Sequence, residues 1–256
     1  MIIIVGFARS GTSIMFKTLE AAGLRVGECH GFLYRTENTH WARFNRLLGW
    51  KLNGEYLLGK KICTKEVYKI GGRRAKLIIL DILTNVPDVS LPKELHQIIE
   101  KGEDFFSFHQ IEVLKDPNMC PLLKYWVEHS DYFRNAKYIW MTRDPLQAAK
   151  SLVRMKLPRW QFYRKVLTTK KALQIYHYHN NEVAKVMPNV NHIKVKFEDM
   201  RDDTNDQRKK IEKFLGFRPM WELIDHKLTW DGGNRDYMTP NNNSIIKPGD
   251  VETVIE

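Results

Sequence analysis

Two short clusters in this chain combine cations, hydroxyls and glycines in the way that oxyanion binding demands. The first follows the apolar run Ile2–Val5 and reads Gly6-x-x-x-x-Gly11-Thr12-Ser13, with Arg9 and Ser10 inside it. This is nearly the G-x-x-x-x-G-K-[ST] frame of a nucleoside-triphosphate loop, in which backbone N–H groups and a helix N-terminus cradle phosphate. The lysine is missing, however. Thr12 stands in its place, and the cation of the loop is Arg9. A triphosphate site also relies on magnesium to bridge its β- and γ-phosphates. One guanidinium with the hydroxyls of Ser10, Thr12 and Ser13 suits a less charged oxyanion, held without metal. Taken alone, the stretch also fits a plain strand-to-helix turn capped by Ser10 or Thr12.

The second cluster is Arg143-Asp-Pro-Leu-Gln-Ala-Ala-Lys-Ser151. Arg143 closes a strand-like run, and proline is tolerated in the first turn of the helix expected after it. Ser151 then lies on that helix, able to face the same point as Arg143. Arginine binds phosphate as a fork, and a serine hydroxyl adds a donor. Seen alone, the cluster also fits a surface arginine and a helix serine; two oxyanion clusters on neighbouring strand ends suggest one ligand with two separated anionic groups.

The elements that position them read as an α/β alternation. Ile2–Val5, Ile111–Leu114, Tyr138–Thr142 and His192–Phe197 have strand character. Thr12–Ala22, Pro121–His129, Leu146–Met155, Trp160–Val186 and Thr204–Leu215 have helical character, with Gly23 and Gly216 at two of the ends. Asp116-Pro117 marks a turn, and beyond Trp230 the pattern dissolves into Gly, Asn and Pro. The expected fold class is α/β: a single domain over residues 1–256, a central parallel sheet with helices on both faces, and the phosphate-type loop after the first strand. Ligands of such sheets sit at the carboxyl ends of the strands, where both clusters fall.

Bulk properties narrow the class. The 256 residues carry a net charge of +11, spread along the chain, which fits either a solvated surface or attraction to a polyanion. Neither zinc-finger spacing nor an RNP-like motif supports nucleic acid as the partner. No apolar run approaches a membrane span, and no basic segment precedes the first strand as in a signal peptide. Three scattered cysteines, Cys29, Cys63 and Cys120, suggest neither a disulfide framework nor a zinc site, so a cytoplasmic setting is expected.

Together the clusters resemble those of sulfotransferases that use 3′-phosphoadenosine 5′-phosphosulfate (PAPS). Ala8-Arg9-Ser10-Gly11-Thr12-Ser13 is similar to the family's 5′-phosphosulfate loop, and Arg143-Asp144-Pro145 with Ser151 to its 3′-phosphate motif. Val195-Lys-Phe-Glu-Asp-Met200 with Phe214-Leu215-Gly216 resembles a further family segment, and Gly233-Asn234-Arg235 a late loop. Ile245-Ile-Lys247-Pro248 resembles the tyrosylprotein branch, which implies that Lys247 helps hold the nucleotide. Leu114-Lys115-Asp116-Pro117 lacks the histidine base of the cytosolic small-molecule branch and looks like the Lys-x-Pro of carbohydrate branches.

The resemblance implies sulfuryl transfer from PAPS to an acceptor hydroxyl, with no metal. Glu28, in Gly27-Glu28-Cys29-His30-Gly31-Phe32, becomes the candidate general base, with His30 as its rival and Asp116 as a weaker one. Arg9 and Lys115 would stabilise charge on the transferring group. Ser10, Gly11, Thr12 and Ser13 would hold the phosphosulfate, and Arg143 and Ser151 the 3′-phosphate. The acceptor is expected to be a carbohydrate, an anionic glycan among the candidates, with Arg154–Tyr163 as either cleft floor or core-packing helix. A nucleotide kinase on the same frame and a non-catalytic basic binding protein are the competing readings.

Overall fold

The computed structural model describes residues 1–27, 29–30, 37–38, 41–42, 44–45, 48–49, 52, 90–154 and 168–225. Glu28 and Lys247, Cys63, the 155–167 stretch and everything after residue 225 lie outside the described residues, and so does the side chain of His30. In chain order the regular elements are β1 (Ile2–Val5), α1 (Thr12–Ala21), β2 (Cys29–His30), β3 (Glu37–Asn38) and α2 (Lys93–Phe108). Then come β4 (Val113–Lys115), a 3₁₀ turn at Pro117–Leu122, α3 (Leu123–His129), α4 (Asp131–Arg134), β5 (Lys137–Thr142) and α5 (Pro145–Arg154). The last are α6 (Thr169–Val186), β6 (Asn191–Lys196), α7 (Phe197–Asp202), a 3₁₀ turn at Thr204–Asp206, α8 (Gln207–Leu215) and α9 (Glu222–Asp225).

β4, β1, β5 and β6 form one parallel sheet in that spatial order. β2 and β3 pair separately as a short antiparallel ribbon. Successive strand residues point to opposite faces, and both faces are apolar here. Ile3, Val5, Leu114, Tyr138 and Trp140 pack on one side against Leu95, Ile98, Ile99 and Phe106 of α2, Trp126 of α3, and Val183 and Val186 of α6. Ile2, Ile4, Val113, Ile139, Met141 and Val195 pack on the other against α1 and α8, with Met200 and Ile224. Helices therefore cover both faces, as expected of an all-parallel sheet. Each fully buried apolar side chain contributes about 1.5–3 kcal/mol.

Several expected boundaries move. The strand read at residues 111–114 is Val113–Lys115, which makes Lys115 the last strand residue. The strand read through Phe197 stops at Lys196, and Phe197 opens α7. Thr204–Asp206 is a separate turn before α8, because Asp203, Asn205 and Asp206 take left-handed φ values incompatible with one continuous helix. A third small cluster, in which Phe7 packs on Ala148 and Ala149 of α5 and on Ala172, Ile175 and Tyr176 of α6, fastens the loop after β1 to the helices beyond β5.

Candidate active site

The loop from Gly6 to Gly11 leaves β1 under tight constraint. Gly6 has φ +144°, and a Cβ there would meet the Met141 carbonyl oxygen at 2.3 Å. Gly11 has φ +88°, and a Cβ there would lie 2.3 Å from the Phe197 ring. Both positions require glycine, for conformation and for space. Arg9 adopts φ +74°, uncommon for a residue with a side chain and a conformation often stored at functional loops. Gly11 is the N-cap of α1, so no side chain caps that helix. The first-turn N–H groups have no intrahelical partner, and the positive end of the helix dipole lies at the loop.

Ser10 supplies the observation that bears most directly on a ligand. Its residue is 0% exposed, and its Oγ has no hydrogen-bond partner among the described residues. A buried hydroxyl without a partner costs free energy, and an anion held in the loop is one way to satisfy it. Beneath the loop, burial pushes the Cys120 thiol up to about 12, with the Gly6 N–H opposing that shift, so this cysteine stays a neutral thiol.

The two sequence clusters meet here. Arg9 Nε donates to Ser151 Oγ at 3.0 Å, across 142 residues of chain. Arg143 Nη1 donates to the Arg9 carbonyl at 3.2 Å. From the other side of β1, Lys115 Nζ donates to Ser13 Oγ at 3.2 Å. Arg9, Ser10, Gly11, Thr12, Ser13, Lys115, Arg143 and Ser151 thus form one constellation at the carboxyl ends of β1, β4 and β5. Lys115 is 1% exposed and Asp116 0%, while Arg143 is partly exposed. Asp116, the weaker rival base, is engaged elsewhere: Asn45 Nδ2 donates to its Oδ2 at 3.1 Å.

Sequence reasoning missed the residues that hold these groups in place. Tyr176 OH donates to the Arg143 carbonyl at 2.5 Å, and burial raises the Tyr176 pKa, which keeps the phenol protonated. The Phe197 ring lies 5.0 Å from the Arg143 guanidinium, within cation–π range. Glu198 Oε1 is 3.7 Å from Arg143 Nε. On the β4 side, Asn38 Oδ1 accepts from the Lys115 N–H at 2.7 Å, and Asn38 Nδ2 donates to the Val26 and Val113 carbonyls. The Val195–Met200 segment was legible as a pattern, but no local signal placed Phe197 and Glu198 beside Arg143.

A cleft of about 490 Å³ lies apart from this constellation, beside the beginning of β4. Its lining includes Arg25, Gly27, Asn38, Phe105, His109 and Ile111. Among the described residues, no group of three or more His, Cys, Asp or Glu is arranged to hold a metal ion, and no helix is long and apolar enough to cross a membrane.

The architecture is therefore an α/β domain with a glycine-pinned, cation-lined loop between its first strand and first helix. A model of the sulfotransferase family matches residues 2–222, and the chain belongs to that family. No curated protein matches it. Among solved structures it is similar to the sulfotransferase domain from the Synechococcus PCC 7002 olefin synthase, at 16% identity and TM-score 0.45 over 98% of this chain and 92% of that one. It is also similar to the sulfotransferase domain from the curacin biosynthetic pathway, at 18% identity and TM-score 0.49 over 92% of this chain and 78% of that one.

Proposed function

We propose that this chain is a PAPS-dependent sulfotransferase that acts on an acceptor hydroxyl of a carbohydrate. The observation that carries the reading is the convergence of two distant clusters on one loop through the Arg9–Ser151 and Arg143–Arg9 hydrogen bonds. The buried Ser10 Oγ, which has no hydrogen-bond partner among the described residues, and the uncapped start of α1 fit an anion held by the loop.

The donor supplies an activated sulfuryl group on a phosphate leaving group. The loop amides with Ser10, Thr12 and Ser13 hold its 5′ end, and Arg143 and Ser151 hold its 3′-phosphate, with Lys247 as a further nucleotide contact. Arg9 and Lys115 place positive charge where negative charge develops during transfer. Glu28 takes the proton of the acceptor hydroxyl; it is preferred over Asp116, which is fully buried and occupied by Asn45. The excess of basic residues favours an anionic glycan as acceptor.

The test is thermal unfolding with adenosine 3′,5′-bisphosphate in the absence of magnesium. At about 100 times its dissociation constant, the nucleotide is expected to add roughly 2.7 kcal/mol of stability. No stabilisation at millimolar nucleotide sinks the reading, and magnesium-dependent stabilisation by ATP alone favours a kinase. Labelled PAPS offered to glycans, phenols and peptides identifies the acceptor. With that acceptor, Glu28→Gln is expected to keep nucleotide binding and to slow transfer by on the order of 10²–10⁴-fold. Full activity in Glu28→Gln together with a dead His30→Ala would move the base to His30.

A further inference from the structure

We infer that Glu198 is a positioning residue that fixes the Arg143 fork and thereby sets the protein's preference for nucleotides bearing a 3′-phosphate. The inference rests on the proposed role of Arg143 as the 3′-phosphate ligand. β6 stops at Lys196, and the chain turns directly into α7. That turn places Phe197 against Gly11 of the loop and against the Arg143 guanidinium. It places the next residue, Glu198, at the Nε side of the same guanidinium.

A single carboxylate oxygen makes both contacts. Glu198 Oε1 lies 3.7 Å from Arg143 Nε, an ion pair rather than a hydrogen bond, and accepts from the Asp144 N–H at 3.3 Å. It therefore ties the arginine side chain to the backbone at the junction of β5 and α5. The Arg143 and Glu198 side chains are only 10% and 18% exposed, so water screens their attraction weakly. The other oxygen, Oε2, is buried and has no hydrogen-bond partner among the described residues. The carboxylate is thus committed to Arg143 and Asp144 rather than spread over a wider network.

Which nitrogen Glu198 faces decides the sign of its effect. A carboxylate near a phosphate-binding arginine repels the phosphate, but it also orders a long, rotamer-rich side chain. Glu198 faces Nε, while Nη1 and Nη2 point to the Arg9 carbonyl and to Gln147 Oε1. The Nη atoms, which make a fork's second contact, are left on the side of the loop. Ordering the fork outweighs repulsion in this arrangement, so removing the carboxylate weakens recognition of the 3′-phosphate.

The experiment compares dissociation constants for adenosine 3′,5′-bisphosphate and adenosine 5′-phosphate in the wild-type protein, Glu198→Gln and Glu198→Ala. The ratio of the two constants isolates the 3′-phosphate, and a general loss of folding or of loop structure would weaken both nucleotides alike. Glu198→Ala is expected to cut the ratio about tenfold, through loss of a close and weakly screened ion pair. Glu198→Gln keeps an acceptor for the Asp144 N–H but loses the charge, and is expected to cut the ratio by about threefold. A ratio that is unchanged or larger in both variants overturns the inference, and if the alanine variant does not fold, the glutamine variant alone decides on the same terms. If the wild-type protein itself shows no preference for the bisphosphate, the donor assignment falls and this inference falls with it. A preference present in the wild type and fully kept in both variants removes the inference alone.

Discussion

The two strands that flank β1 end in the same chemical sequence: a cation, an aspartate and a proline. β4 ends in Lys115-Asp116-Pro117 and β5 in Arg143-Asp144-Pro145. Their surroundings differ completely. Lys115 and Asp116 are sealed from water, the first held by Asn38 through its backbone and the second by Asn45 through its side chain. Asp144 caps α5 instead, accepting from the Gln147 N–H at 2.7 Å, with Pro145 in the first helical position. Pro117 opens only a 3₁₀ turn. Both cations still reach the loop, Lys115 at the Ser13 hydroxyl and Arg143 at the Arg9 carbonyl. The local pattern marks a strand end that faces the loop, and tertiary packing decides whether it is a fully buried point charge or a fork that keeps a little exposure.

That difference predicts a division of labour. A compact ammonium in a dry setting suits charge that develops during transfer, while a planar fork suits a phosphate held throughout. Lys115→Ala is expected to lower the transfer rate by on the order of 10²–10³-fold, with the affinity for adenosine 3′,5′-bisphosphate changed by less than about tenfold. Arg143→Ala is expected to weaken that affinity on the order of 10–100-fold, as for the loss of one or two charge-assisted hydrogen bonds, with a smaller effect on the rate at saturating donor. Calorimetry and single-turnover kinetics separate the two quantities. If both variants lose affinity equally and keep their rate, the two strand ends act as one phosphate clamp and the division fails.

The sequence made the sheet legible because its strands are short apolar runs bounded by glycine, proline or charge, and the loop legible because Gly6 and Gly11 sit at a known spacing. Arg9, Arg143 and Ser151 were readable as candidate oxyanion ligands from their types and spacing. Their direct contact was not, since it spans 142 residues and depends on Phe7 packing α5 and α6 beneath the loop. α2 went unread because Gly102 and several charges dilute its apolar face, although Leu95, Ile98, Ile99 and Phe106 keep helical spacing. Glu198 went unread as a site residue because nothing near it in sequence announces Arg143, 55 residues away. The burial of Asp116 was equally hidden, because its partner Asn45 comes from a distant part of the chain.

The paired aspartates offer the smaller and sharper comparison. Asp116 is fully buried, and its partner Asn45 is also engaged through Oδ1 by the Trp126 indole N–H at 2.8 Å. Removing the Asp116 carboxylate strands the Asn45 amide donor in a dry core, a loss of about 1–3 kcal/mol for the unsatisfied group. Removing the Asp144 carboxylate uncaps a surface helix whose first turn water can reach, a loss of about 1 kcal/mol. Asp116→Ala is therefore expected to lower the urea midpoint clearly more than Asp144→Ala, at equal m-values. Replacing Asn45 with an apolar residue as well removes the stranded amide but takes the acceptor from the Trp126 indole N–H, so the double replacement is expected to recover none of the loss. Equal midpoint shifts for the two alanine variants would show that burial does not distinguish these strand ends.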